Sequence, residues 1–170
     1  MVFGRLKPME KGKKYISPLL SFDIHLQNYQ NMVREFQKKN DLIHLKAILK
    51  DSLTTSLTEQ VFKEDYDALV LTKVNQSILW VSDGFKDMTG YSKTFALGKR
   101  PKFLQGPDTS SATRKQIREG LANAHTFSGA LTNYRKNGES YLCDIKIIPV
   151  YNAKNKLINF LAFERELPED

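Results

Sequence analysis

The sequence predicts an α+β chain: a five-stranded antiparallel sheet with flanking short helices, preceded by an N-terminal helical extension. Three observations predict it. Apolar residues across 15–63 recur at steps of three and four, the period of a helix. From Ala68 the period shortens to that of strands. The C-terminal part holds three strand-like runs, two of them joined through Asn137-Gly138, a strong short hairpin signal. Helices followed by strands, short helices and antiparallel strands is an α+β order.

The elements follow in sequence. After Ser21, the residues Leu26, Tyr29, Met32, Val33 and Phe36 form one apolar stripe and predict a first helix. Asn40 or Asp41 is expected to cap a second helix, with Leu42, Leu45, Ile48 and Leu49 on its apolar face. The run 54–58 offers caps for a short third helix ending near Phe62. Ala68-Leu69-Val70-Leu71 is continuously apolar, as a strand covered on both faces would be. Val74-Asn75-Gln76-Ser77 predicts a turn, and Ile78-Leu79-Trp80-Val81 a second strand. Residues 84–97 carry short helical pieces punctuated by Gly90 and Gly98, and 109–123 a clearer helix with Ile117 and Leu121 one turn apart. Strands are expected over 128–135, 140–151 and 157–165.

Composition is that of an ordinary globular chain, with 41% hydrophobic and 26% charged residues. At 170 residues it suits one domain with an extension and needs neither disulfides nor a metal to fold. The lone Cys143 cannot form an internal disulfide and fits a reducing compartment. No apolar run approaches the roughly 20 residues of a membrane span. No secretory signal is expected, because no apolar core follows the basic N-terminus, so the expected location is cytoplasmic. Of the net charge of +7, five cationic side chains (Arg5, Lys7, Lys11, Lys13, Lys14) fall in a basic arm at 1–14. That arm reads as solvated; no helix-turn-helix, zinc or single-strand-binding signature accompanies it, so nucleic acid is not an expected partner.

Parity assigns the strand faces. Tyr141, Cys143, Ile145 and Ile147 share the more apolar face of their strand and are expected inward. On the last strand Ile158, Phe160, Ala162 and Glu164 align, which places a carboxylate at the mouth or floor of a cavity. The opposite face, Leu157, Asn159, Leu161 and Phe163, is also apolar enough to need a cover, from the N-terminal helices or from another protomer.

The run Gly98-Lys99-Arg100-Pro101-Lys102-Phe103-Leu104-Gln105-Gly106 resembles the signature of flavin-binding light-oxygen-voltage (LOV) domains, a branch of the PAS sensor family. So do Val81-Ser82-Asp83-Gly84-Phe85, Met88-Thr89-Gly90-Tyr91-Ser92, Ile117-Arg118 and Asn133-Tyr134-Arg135-Lys136-Asn137-Gly138. The similarity covers 68–164 and implies a PAS fold over 65–166, with a helical extension at 15–64 and a short frayed tail at 167–170.

The resemblance implies roles residue by residue. Lys102 and Arg118 stand where two basic residues hold the phosphate of FMN, Gln105 where a glutamine meets the ribityl chain, and Asn133 where an asparagine meets the pyrimidine edge. Four positions depart from the pattern. Pro101 replaces the cysteine that bonds to the flavin after blue light, and Arg100 replaces the asparagine before it. Cys143 stands at the second asparagine and Glu164 at the glutamine that senses the flavin ring. An ionised Glu only accepts hydrogen bonds; protonated by burial it donates as a glutamine does.

The expected function is therefore that of a stand-alone PAS sensory module without adduct-forming photochemistry, acting through a homodimer or a signalling partner such as a histidine kinase. One alternative is a cysteine-less photoreceptor that holds FMN and works by electron transfer, with Trp80 and the tyrosines as donors. The other is a ligand-free dimerisation scaffold. No enzyme is expected: Gly98-Lys99 lacks the spacing of a phosphate loop, and His25, His44 and His125 share no metal-binding spacing with Cys143.

Overall fold

Five strands, β1 (Ala68–Lys73), β2 (Ile78–Val81), β3 (Phe127–Tyr134), β4 (Ser140–Tyr151) and β5 (Leu157–Glu166), pair antiparallel in the order β2-β1-β5-β4-β3. This is the predicted sheet, seen in a computed structural model that describes residues 18–168. The basic arm at 1–14 and the last two residues of the tail lie outside the described residues. The chain forms two units, Met1–Gln37 and Lys38–Asp170.

The helices are α1 (Pro18–Leu49), α2 (Thr55–Lys63), α3 (Gly84–Thr89), α4 (Lys93–Ala96) and α5 (Ser111–Ala122). The expected cap at Asn40 or Asp41 does not form, because α1 passes through both residues. Nothing before them stops a helix: Gln37, Lys38 and Lys39 are good helix formers, and no Gly or Pro intervenes. Thr54 does cap α2 as predicted, its Oγ1 accepting from the Leu57 amide at 3.2 Å.

Both faces of the sheet in the second unit are apolar and both are covered. One face gathers Ala68, Val70, Phe85, Leu104, Leu131, Cys143, Ile145, Ile147 and Phe160 into a core with α3, α4 and α5. The other gathers Leu69, Leu71, Ile148, Val150, Leu161 and Phe163 under Leu45 and Leu49 of α1 and Leu57 and Val61 of α2. The chain's own helices therefore cover these core positions. Alternate residues of β1 serve the two cores, which is why its sequence shows no polar side.

Parity on β4 holds as expected. On β5 it holds from Asn159 onward and fails at the start. Val150 pairs with Asn159 and Tyr151 with Leu157, so Ile158 is the extra residue of a β-bulge. The bulge reverses the faces: Leu157 joins the core of Phe160, and Ile158 joins the opposite one. Leu167 is not frayed, since its amide donates to the Leu142 carbonyl at 2.9 Å. Among the described residues no helix is long and apolar enough to cross a membrane.

Candidate functional site

Between the inner face of the sheet, α5 and the loop before it lies a cavity of about 510 Å³. One wall is a single 3-10 turn, Pro101–Leu104, entered from an extended Arg100. Pro101 suits the first position of that turn, where an N–H would have no partner inside it. The turn presents Arg100, Pro101, Lys102 and Gln105 to the cavity.

The loop that follows is pinned to β3. Thr109 Oγ1 donates to the Thr132 carbonyl at 2.6 Å and accepts from the Gly106 amide at 2.9 Å. Gly106 lies flat against the Tyr134 ring, where a Cβ would come within 2.3 Å of a ring carbon. Tyr134 is itself held, its Oη donating to Asp108 Oδ2 at 2.5 Å.

The second wall is α5. Ser110 Oγ caps it by accepting from the Thr113 amide at 3.2 Å. Arg114, Ile117, Arg118 and Leu121 then recur on one helical face and line the cavity. Among the described residues no ion pair involves Arg100, Lys102, Arg114 or Arg118. Arg100, Lys102 and Arg118 are exposed, so the wall ends in a cationic mouth.

The floor has the opposite character. Val70, Leu131, Ile145, Ile147, Phe160 and Ala162 make it apolar, and Asn133 and Glu164 stand within it. Glu164 is 2% exposed, and its Oε2 is buried without a hydrogen-bond partner. Burial raises its carboxyl to about 7. Its register neighbours are Ala68 on β1 and Ile145 on β4, neither of which can donate from a side chain. Tyr141, paired with Asn133, has a buried hydroxyl that also lacks a partner. Burial first, and then the neighbouring Glu164, push the Tyr141 phenol up, so it stays protonated.

Five of the six residues singled out from the sequence therefore meet in one cavity: Lys102, Gln105, Arg118, Asn133 and Glu164. Cys143 faces inward as expected but does not line it. Its thiol is fully buried and pushed up by burial, first, and by Glu164, so it is an inert core group. Trp80 packs toward the opposite core, stacked on His44 at 6.0 Å. Sequence reasoning missed Arg114, whose signal was its place one turn before Arg118. It also missed Thr72 and Gln76, which line the cavity from β1 and the following turn.

A family model described as "PAS domain" matches residues 67–168. The chain is 34% identical over 119 residues to phototropin-2 of Oryza sativa subsp. japonica, covering 70% of this chain and 12% of that protein. It is 36% identical over 93 residues to a blue-light photoreceptor of Listeria innocua serovar 6a, covering 55% of this chain and 36% of that protein. It is also 37% identical over 94 residues to the voltage-gated inwardly rectifying potassium channel KCNH3 of Homo sapiens, covering 54% and 9%. The chain thus spans well under half the length of each.

Solved structures agree with the fold. A light-oxygen-voltage domain from work on a flavin analogue superposes with a TM-score of 0.62 at 26% identity, covering 70% of this chain and 90% of that one. The light-state dimer of the fungal blue-light photoreceptor Vivid superposes with a TM-score of 0.55 at 29% identity, covering 57% and 75%.

Proposed function

The chain belongs to the PAS domain family, and from that premise we propose that it is a sensory module whose cavity holds a phosphorylated flavin of the FMN class without forming a cysteine adduct. One observation carries the reading: a cavity of about 510 Å³ joins an unpaired cationic mouth to an apolar floor that holds an unpartnered carboxyl. Such a cavity suits an elongated ligand with an anion at one end and a hydrogen-bonding ring at the other. Lys102, Arg114 and Arg118 would hold the phosphate, Gln105 the chain, and Asn133 and Glu164 the ring edge. When bound, the flavin would supply light absorption and electron acceptance.

No adduct is part of the proposal. Pro101 lines the cavity without a thiol, and Cys143 is sealed in the core away from the lining. The similarity to photoreceptors supports a flavin ligand. The similarity to a potassium channel marks the competing case, a PAS module put to another use. Output is proposed to run through a second copy of the chain or a separate signalling protein such as a histidine kinase, rather than through catalysis. Supporting this, Phe22, Leu26, Tyr29, Met32 and Phe36 of α1 are exposed apolar side chains within the first unit.

The test is reconstitution. Protein purified with excess FMN and then desalted should retain a structured blue absorption band that bleaches reversibly in light with a reductant present. A colourless protein that takes up no FMN sinks the flavin reading and leaves a ligand-free module. For the output, Met32→Glu with Phe36→Glu should lower the mass seen by light scattering; an unchanged mass removes α1 as the contact.

A further inference from the structure

Among the described residues Glu164 is the only acid lining the cavity, and its surroundings are unusual for one. It is 2% exposed and lines the floor, and Oε2 has no partner among the described residues. The groups facing it are few. From β4 come the Tyr141 hydroxyl and the Cys143 thiol, both protonated. Just before β1, the Asp67 amide donates to the Glu164 carbonyl at 2.8 Å, not to the carboxyl. Arg100, Lys102, Arg114 and Arg118 also line the cavity, but among the described residues none of them forms an ion pair with Glu164.

A carboxylate placed there would be a buried charge with no cation and an unfilled hydrogen-bonding oxygen, the costliest way to bury an acid. A neutral carboxyl has an O–H to give, and the cavity is the place left for it to point. We propose that Glu164 acts in its neutral form as a hydrogen-bond donor to the ligand, selecting a ring that presents an acceptor, a carbonyl or an unprotonated ring nitrogen, to the floor. This rests on the flavin reading and deepens it. The site then discriminates at both ends, a phosphate at the mouth and an acceptor at the floor. Binding above neutral pH takes up one proton from solvent, delivered to Glu164 so that it can donate.

Two measurements on the full chain test it. First, infrared spectra of the ligand-free protein across a pH series should show a protonated-carboxyl band that is missing from Glu164→Gln and fades as pH rises through about 7. Glu164 ionised already at mildly acidic pH overturns the proposal. Second, FMN affinity should fall about tenfold or more between about pH 6 and about pH 8.5 relative to Glu164→Gln over the same range. The amide keeps a donor and does not titrate. The ratio removes the titration of the FMN phosphate, which both proteins see alike. Equal pH dependence in the two overturns the proposal while leaving flavin binding intact. Absence of FMN binding in both proteins at both pH values overturns the flavin reading and the ligand half of this proposal, and the infrared series still decides the state of the carboxyl.

Discussion

Tyr66 Oη donates to Asp41 Oδ2 at 3.2 Å, tying α1 to the residue two places before β1. The same tyrosine packs edge-on against Phe163 of β5, with ring centroids 5.7 Å apart. Phe163 is adjacent to Glu164, whose carbonyl accepts from Asp67, the residue after Tyr66. The helical cover and the cavity floor thus share the same short stretch of backbone.

That pair makes a prediction about pH. Burial, opposed by the Tyr66 hydrogen bond, raises the Asp41 carboxyl from its ordinary 3.8 to about 6. A raised carboxyl means the folded chain holds the proton more tightly than the unfolded one. The resulting stabilisation is full below about 3.8 and is lost as pH rises through about 6. Asp41→Asn keeps an acceptor for Tyr66 and removes the charge. Urea midpoints should therefore show the variant at least as stable as the parent near pH 8, with a flatter curve between about 4 and 6. Tyr66→Phe should cost about 1–3 kcal/mol near pH 8 by leaving the carboxylate without its donor, and less at acidic pH.

Two glycines should separate crowding from backbone strain. A Cβ on Gly84 would lie 1.9 Å from the Asp67 carbonyl oxygen, which is backbone and cannot swing aside. Gly84→Ala should destabilise by about 2 kcal/mol or more, in the upper part of the overpacking range. A Cβ on Gly138 meets nothing within 4 Å, but its φ of +90° strains any L residue. Gly138→Ala should cost only about 1 kcal/mol. Thermal unfolding of the two variants reads the difference.

The cationic mouth predicts phosphate selectivity. Arg118→Gln should weaken FMN by about tenfold to a hundredfold, the loss of one charge-assisted contact of about 1.5–3 kcal/mol. Riboflavin, which lacks the phosphate, should bind both proteins equally. Fluorescence titrations of the two ligands check it, and equal losses for both would assign Arg118 to folding rather than to the phosphate.

Pro101 lines the cavity at the place where the resemblance expects the reactive cysteine. Pro101→Cys, loaded with FMN, should gain a reversible light-induced loss of the flavin band without added reductant. The parent should not show it. A parent that does so would place an adduct at Cys143, against its burial.

Much of the fold was legible in the sequence because it rests on local patterns. The hairpin at Asn137-Gly138, the Thr54 cap and the two-sided strand at Ala68-Leu69-Val70-Leu71 each follow from side chains within a few residues. The failures were non-local. Asn40 and Asp41 have good capping chemistry, but the helix before them has no stop signal, and Asp41 is turned instead to a tyrosine 25 residues away. Ile158 was assigned inward by alternation, which a one-residue bulge reverses.

The sequence by itself determined the architecture, the family resemblance and about half of the cavity's polar residues, because period, turn chemistry and motif spacing are properties of the chain read in order. Only the tertiary structure decided what those residues face. It put Arg114 on the cavity wall, withdrew Cys143 and Trp80 from it, and left the Glu164 carboxyl buried without a partner. Burial and hydrogen-bond satisfaction depend on groups brought together from β1, β3, β4, β5 and α5, and no linear pattern records which of them meet.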